Sequence, residues 1–140
     1  MKNTNELANE IIRGKDIKKY INENQKYLIQ KDFHLILMDI IVEKDYDYKD
    51  IIKRGNLNRV YFYQLLSGKR NPSRNKVIQL VFGLKLNVEE TQNLLKECGM
   101  KELYSKIKRD AIIMFAISKK MNIIDTELLL EEEDEELICN

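Results

Sequence analysis

Apolar residues recur three and four places apart along most of this chain, and little interrupts them: Pro72 is the only proline in 140 residues, and there are five glycines. That spacing lines apolar side chains along one face of a helix, and the scarcity of glycine and proline leaves little that suits hairpins. The chain is therefore expected to be all-α, built from short helices and tight turns. An apolar content of 44% is enough to bury a core as one domain with short appendages.

Capping residues divide the chain. Leu7, Ile11 and Ile12, then Ile17, Tyr20 and Ile21, mark two short N-terminal helices around Gly14, the second capped by Asp16. A helix over 32–45 follows, with Asp32 as its cap. Asp47-x-x-Asp50 opens another that stops at Gly55-Asn56, Asn58 caps one that runs to about Leu66 and ends at Ser67-Gly68, and Ser73 starts one to about Leu84. Asn87 with Glu90 forms a capping-box start for a helix ending at Gly99. Beyond it, Ile107, Ala111, Met114, Phe115 and Ser118 mark a helix whose "AIIMFAI" core is apolar all round and is expected to be covered on most sides. Asn122 caps a last helix to about Leu130, and Glu131 to Glu136 are expected as a solvated acidic tail. The domains expected are 1–30, an N-terminal helical extension; 31–99, the functional domain; and 100–140, a C-terminal helical extension with the tail.

Charge is distributed unevenly. The net charge is +1, yet residues 51–88 hold eight bases, Lys53, Arg54, Arg59, Lys69, Arg70, Arg74, Lys76 and Lys85, and no acid. About six acids are expected there from the overall acidic fraction. With 24 bases and 23 acids in all, the rest of the chain has 16 bases against 23 acids. A basic module sits inside an acidic protein, and such a stretch suits a polyanion.

Other classes find little support. No N-terminal segment reads as a signal peptide and no apolar run approaches the ~20 residues of a membrane span, so a cytoplasmic protein is expected. Cys98 and Cys139 lack metal-ligand spacing and read as reduced thiols, Cys98 as packing bulk. His34 stands alone without a catalytic arrangement, and no phosphate-cradling glycine loop occurs. Neither an enzyme nor a cofactor is expected.

A short helix, a tight turn, a second helix and a basic loop make the ground plan of a helix-turn-helix. Residues 47–95, and above all "YQLLSGKRNPS" followed by "VIQL" and "LNVEE", resemble the Xre/phage-repressor type of helix-turn-helix domain. The resemblance covers about half the chain. It implies a five-helix, lambda-repressor-like fold beginning with the helix at 32–45, flanked by the short N-terminal helices and a C-terminal helix pair. "KRDAIIMFAI" at 108–117 resembles a segment of small low-GC bacterial regulators of this kind. The implied function is a sequence-specific transcriptional regulator, a repressor, that binds double-stranded DNA as a homodimer. The pattern departs at Ile52, where the family places Ala and where the longer side chain is expected to hold the two helices apart, and at Lys85, where the family ends a helix with Gly.

If 59–66 is a helix, Phe62 and Leu65 share an inner face with Leu57 and pack toward Ile51, leaving Arg59, Val60, Tyr63 and Gln64 outward to read bases. Arg suits guanine O6 and N7, Gln suits adenine, and Val60 suits a thymine methyl. Asn58, Lys69, Arg70 and Arg74 are expected at phosphates, and the resemblance adds Tyr48 and Lys49. A rival reading keeps the fold but binds a protein partner through Val60, Tyr61 and Tyr63. A second rival, a nucleic-acid enzyme, requires a metal or acid/base cluster that the sequence does not offer.

Overall fold

The computed structural model describes residues 3–13, 17–23 and 32–139. Among them are nine helices and no strand. None is long and apolar enough to cross a membrane. The chain divides into two compact units, Met1–Gln30 and Lys31–Asn140.

The first unit carries α1 (Thr4–Arg13) and α2 (Ile17–Glu23). Asn3 opens α1: its Oδ1 accepts from the Glu6 amide at 2.8 Å, and its Nδ2 donates to Glu6 Oε1. Ile11, Ile12, Ile17 and Ile21 are exposed. Gly14 and the expected cap Asp16 lie outside the described residues.

The second unit runs α3 (Phe33–Lys44), α4 (Tyr48–Arg54), α5 (Arg59–Ser67), α6 (Arg74–Gly83), α7 (Val88–Glu97), α8 (Lys108–Ser118) and α9 (Ile123–Glu132). Asn58, Ser73, Asn87 and Asn122 each accept a backbone N–H three residues on, and Asn87 with Glu90 closes a reciprocal capping box. Asp32 and Asp47 hold the cap positions of α3 and α4, with no side-chain bond to the helix.

Four connections share one turn. Asp45, Asn56, Lys85 and Lys120 sit in the left-handed region, with φ of 55°, 50°, 53° and 57°. Each is followed by an apolar residue that turns inward (Tyr46, Leu57, Leu86, Met121) and then by the next helix's N-cap. The amides of Leu57, Leu86 and Met121 reach back to the carbonyls of Ile52, Val81 and Ala116 at 2.9–3.1 Å. Those bonds satisfy the loose ends of each helix and offset a left-handed strain of roughly 1 kcal/mol per residue.

α4 lies against α6, α3 against α5, and α7 bridges α6 and α8, with α9 on α8. The α4–α6 approach depends on Gly83: a Cβ there would stand 2.6 Å from the Ile51 carbonyl oxygen. From the same helix, buried Gln79 donates Nε2 to the carbonyls of Gly55 (3.0 Å) and Asn56 (3.1 Å) while its Oε1 accepts from Lys76 Nζ. A buried amide with its groups satisfied rigidifies what it holds, here the turn between α4 and α5. Ile51, Phe62, Leu65, Ile78, Leu95 and Ile113 are fully buried in the core of this unit. Ile52 is half-buried at the core margin, and the Tyr48 and Phe62 rings bridge α4 and α5 edge to face, 5.6 Å between centroids.

The C-terminal part of the chain bears out one expectation and corrects another. α8 is covered on most sides, as expected: Ile113, Ala116 and Ile117 are buried and Ala111, Ile112 and Met114 half-buried, while Phe115 is half exposed. The acidic end is not a free tail. After Asp134, in the left-handed region, the chain turns back and buries Ile138 completely. Glu127 accepts the amides of Ile138 (2.7 Å) and Cys139 (3.0 Å), and Arg109 donates to the carbonyls of Glu136 and Leu137 and to Asn75 Oδ1. The apolar Leu137-Ile138 pair gives this strap a reason to return, while Glu131 to Asp134 and Glu136 keep their carboxylates in solvent.

Candidate nucleic-acid interface

α5 owes its length to its ends. Asn58 Oδ1 accepts from the Tyr61 amide at 3.0 Å, and Gly68 closes the helix at φ 81°. A Cβ at Gly68 would meet the His34 imidazole 2.9 Å away, so the lone histidine serves as the surface on which this turn rests. Phe62 and Leu65 are fully buried, and the opposite side carries Arg59 and Val60, exposed, and Tyr63, 42% exposed. Phe62 and Leu65 face inward and Arg59, Val60 and Tyr63 outward, as the spacing predicts; Gln64, expected outward with them, is half-buried.

The outward group is braced. The Tyr63 ring meets Tyr48 at 6.0 Å and Phe62 at 5.9 Å, both edge to face, and the Arg59 guanidinium stands 5.9 Å over Tyr63. At an exposed site a cation–π contact of this kind contributes about 0.5–1 kcal/mol, a modest bias on where Arg59 points. Gln64 is half-buried and its Oε1 accepts from Arg70 Nε at 2.9 Å, so one expected base reader is paired with one expected phosphate contact. Tyr48 is also half-buried. Its hydroxyl points at Met38 Sδ, 4.0 Å away, and its ring supports α5 rather than standing free for phosphate. Lys49, Asn58, Lys69 and Arg70 are exposed.

Arg74 is placed differently from the phosphate role. It donates Nε to the Lys101 carbonyl, Nη1 and Nη2 to Asp110, and Nη2 to the Glu102 carbonyl, so four donor contacts go to its own chain. Asp110 is 3% exposed and also accepts the Tyr104 amide. A carboxylate that far from water needs a paired cation, and Arg74 is that cation. Lone Asp110 within "KRDAIIMFAI" was the sequence signal for a buried pair, and Gln79 within "VIQLVF" the signal for the clamp.

Of the eight bases in 51–88, three work inside the fold. Besides Arg74, Lys76 holds Gln79 and lies over the Tyr61 ring, and Arg54 donates Nε to the Gly83 carbonyl and lies over Tyr46. Lys53, Arg59, Lys69, Arg70 and Lys85 are exposed. Tyr61 is turned inward, and burial pushes its hydroxyl above its ordinary pKa against the opposing charge of Arg70. Val60 and Tyr63 are therefore the open members of the protein-partner set.

Both cysteines are half-buried and neither forms a disulfide. Burial, then the Glu97 charge, pushes Cys98 up to about 11. Burial and Glu127 also raise Cys139, outweighing a hydrogen bond from Asn56 and the charge of Lys76. Among the described residues no three His, Cys, Asp or Glu side chains come together as metal ligands. Comparison with family models, with curated proteins and with solved structures finds no match to this chain.

Proposed function

We propose that this chain is a sequence-specific DNA-binding regulator of transcription, a repressor, in which α3–α7 form a lambda-repressor-like helix-turn-helix domain and α5 enters the major groove. One observation carries the reading: an acid-free stretch supplies a helix whose inner face is buried and whose outer face presents an arginine, Arg59, beside Val60 and Tyr63. Arg59 takes a guanine, Val60 a thymine methyl, and Gln64 an adenine once Arg70 turns to phosphate. Lys49, Asn58, Lys69 and Arg70 set the register on the backbone. Ile124 and Leu128, exposed one turn apart on α9, together with Phe115, support pairing of two copies, which places two recognition helices about 34 Å apart on a palindrome.

Selection of bound sites from random duplex DNA tests the reading. A palindromic motif is expected, bound with an affinity that falls steeply with added salt. Failure to enrich any motif, with weak and salt-insensitive binding, overturns it. The exposure of Val60 (66%) and Tyr63 favours a second reading, a protein partner seated on those side chains. That complex would be far less sensitive to salt.

A further inference from the structure

A cleft of about 560 Å³ opens where three of the four similar turns meet, those at Tyr46, at Lys85–Asn87 and at Lys120–Asn122. That volume falls within the range of about 300–1,000 Å³ typical of sites for small organic ligands. Phe82, Leu86, Ile117, Met121 and Ile123 give it apolar walls. Among the described residues three cations line it, Arg54, Lys85 and Lys120, and no Asp or Glu does.

Arg54 is incompletely satisfied. Its Nε bonds the Gly83 carbonyl at 2.9 Å and its guanidinium lies 4.7 Å over the Tyr46 ring, but Nη2 is shielded from solvent and has no acceptor among the described residues. A buried donor left without an acceptor costs about 1–3 kcal/mol, more when charged. Lys85 and Lys120 both hold left-handed turn positions and both are exposed. Apolar walls alone suit any small hydrophobe, and cations alone suit any anion. Together, with an orphaned guanidinium N–H and no competing carboxylate, they select a ligand that has both parts.

We propose that this cleft binds an amphipathic organic anion, a carboxylate or phosphate monoester on an apolar body, whose head group accepts from Arg54 Nη2 and neutralises Lys85 and Lys120. The site stands apart from α5 and does not depend on the DNA-binding reading. Because Arg54 is the last residue of α4, an occupied cleft also reaches the helix that supports α5.

The test uses the full chain without DNA, followed by calorimetry and thermal melting. Decanoate and decyl phosphate supply the two head groups, 1-decanol the same body without charge, and inorganic phosphate the charge without a body. Saturable binding of decanoate or decyl phosphate with a rise in Tm is expected, decanol binding about tenfold weaker or worse and inorganic phosphate giving no shift. The better anion identifies the head group. Lys85→Gln combined with Lys120→Gln, which alters only exposed side chains, should weaken the anion at least about tenfold and leave the unliganded Tm unchanged. Arg54→Gln should do the same to binding. Decanol binding as well as decanoate, anion binding untouched by the lysine changes, or no saturable binding of either anion overturns the proposal.

Discussion

Arg74 grips Asp110 through both terminal nitrogens, Nη1 3.3 Å from Oδ1 and Nη2 3.0 Å from Oδ2, and so ties the start of α6 to the start of α8. Asp110 is nearly inaccessible, and removing its cation leaves a buried carboxylate uncompensated. Arg74→Met is expected to lower stability by about 3 kcal/mol or more, measured by denaturant unfolding. Full retention of stability would mean that the pair adds nothing to the fold.

Lys69 and Arg70 give the opposite expectation. Both are exposed, and the side-chain hydrogen bond of Arg70 goes to Gln64 on the same surface. Replacing both with Gln should leave the melting temperature unchanged and flatten the plot of log affinity for DNA against log salt by roughly two units. A slope equal to that of the parent protein removes this loop from the interface.

Gly83→Ala pits propensity against packing. In an isolated helix the change stabilises by about 1 kcal/mol. Here the new Cβ would stand 2.6 Å from the Ile51 carbonyl oxygen, a backbone atom that moves only if α4 moves. Destabilisation of about 1–3 kcal/mol is expected in thermal or denaturant unfolding, and any gain in stability would show that α4 and α6 separate without cost.

Ile138→Ala tests the returning strap. The side chain is completely buried, so truncation should cost about 2–4 kcal/mol and hasten proteolysis of the acidic segment before it. Unaltered protease resistance would mean that the Glu127 and Arg109 contacts alone hold the strap.

Glu90 carries a pH dependence. Burial pushes its carboxyl up, but the Asn87 backbone N–H and Lys44, whose Nζ lies 2.7 Å away, outweigh it and hold the carboxyl below its ordinary 4.5. A depressed carboxyl stabilises the fold above its unfolded pKa, and that contribution disappears as pH falls through the folded value. Because the pair is about one-third exposed, Glu90→Gln should cost only about 0.5–1 kcal/mol at pH 7. The difference from the parent protein should shrink between pH 5 and roughly pH 3, followed by denaturant midpoints.

Much of the second unit was legible because its signals are local. Asn58, Ser73, Asn87 and Asn122 cap amides three residues away, and the burial of Phe62 and Leu65 follows from spacing within one helix. What stayed hidden was set by distant partners. Arg74 and Asp110 are 36 positions apart, so a count of bases treated Arg74, like Arg54 and Lys76, as charge for a ligand. The same limit applies to Tyr48, whose contacts with Met38 and Tyr63 come from neighbouring helices. A run of acids reads as tail, and only the pocketing of Ile138 reveals that it is tethered at both ends.

Gln79 has a practical corollary for anyone who would transplant the segment 47–67. The hinge between its two helices is held by an amide 24 positions further on from Gly55, in a helix the excised piece would lack. The segment is therefore not a portable cassette, and a graft must bring α6 along or supply another donor in its place.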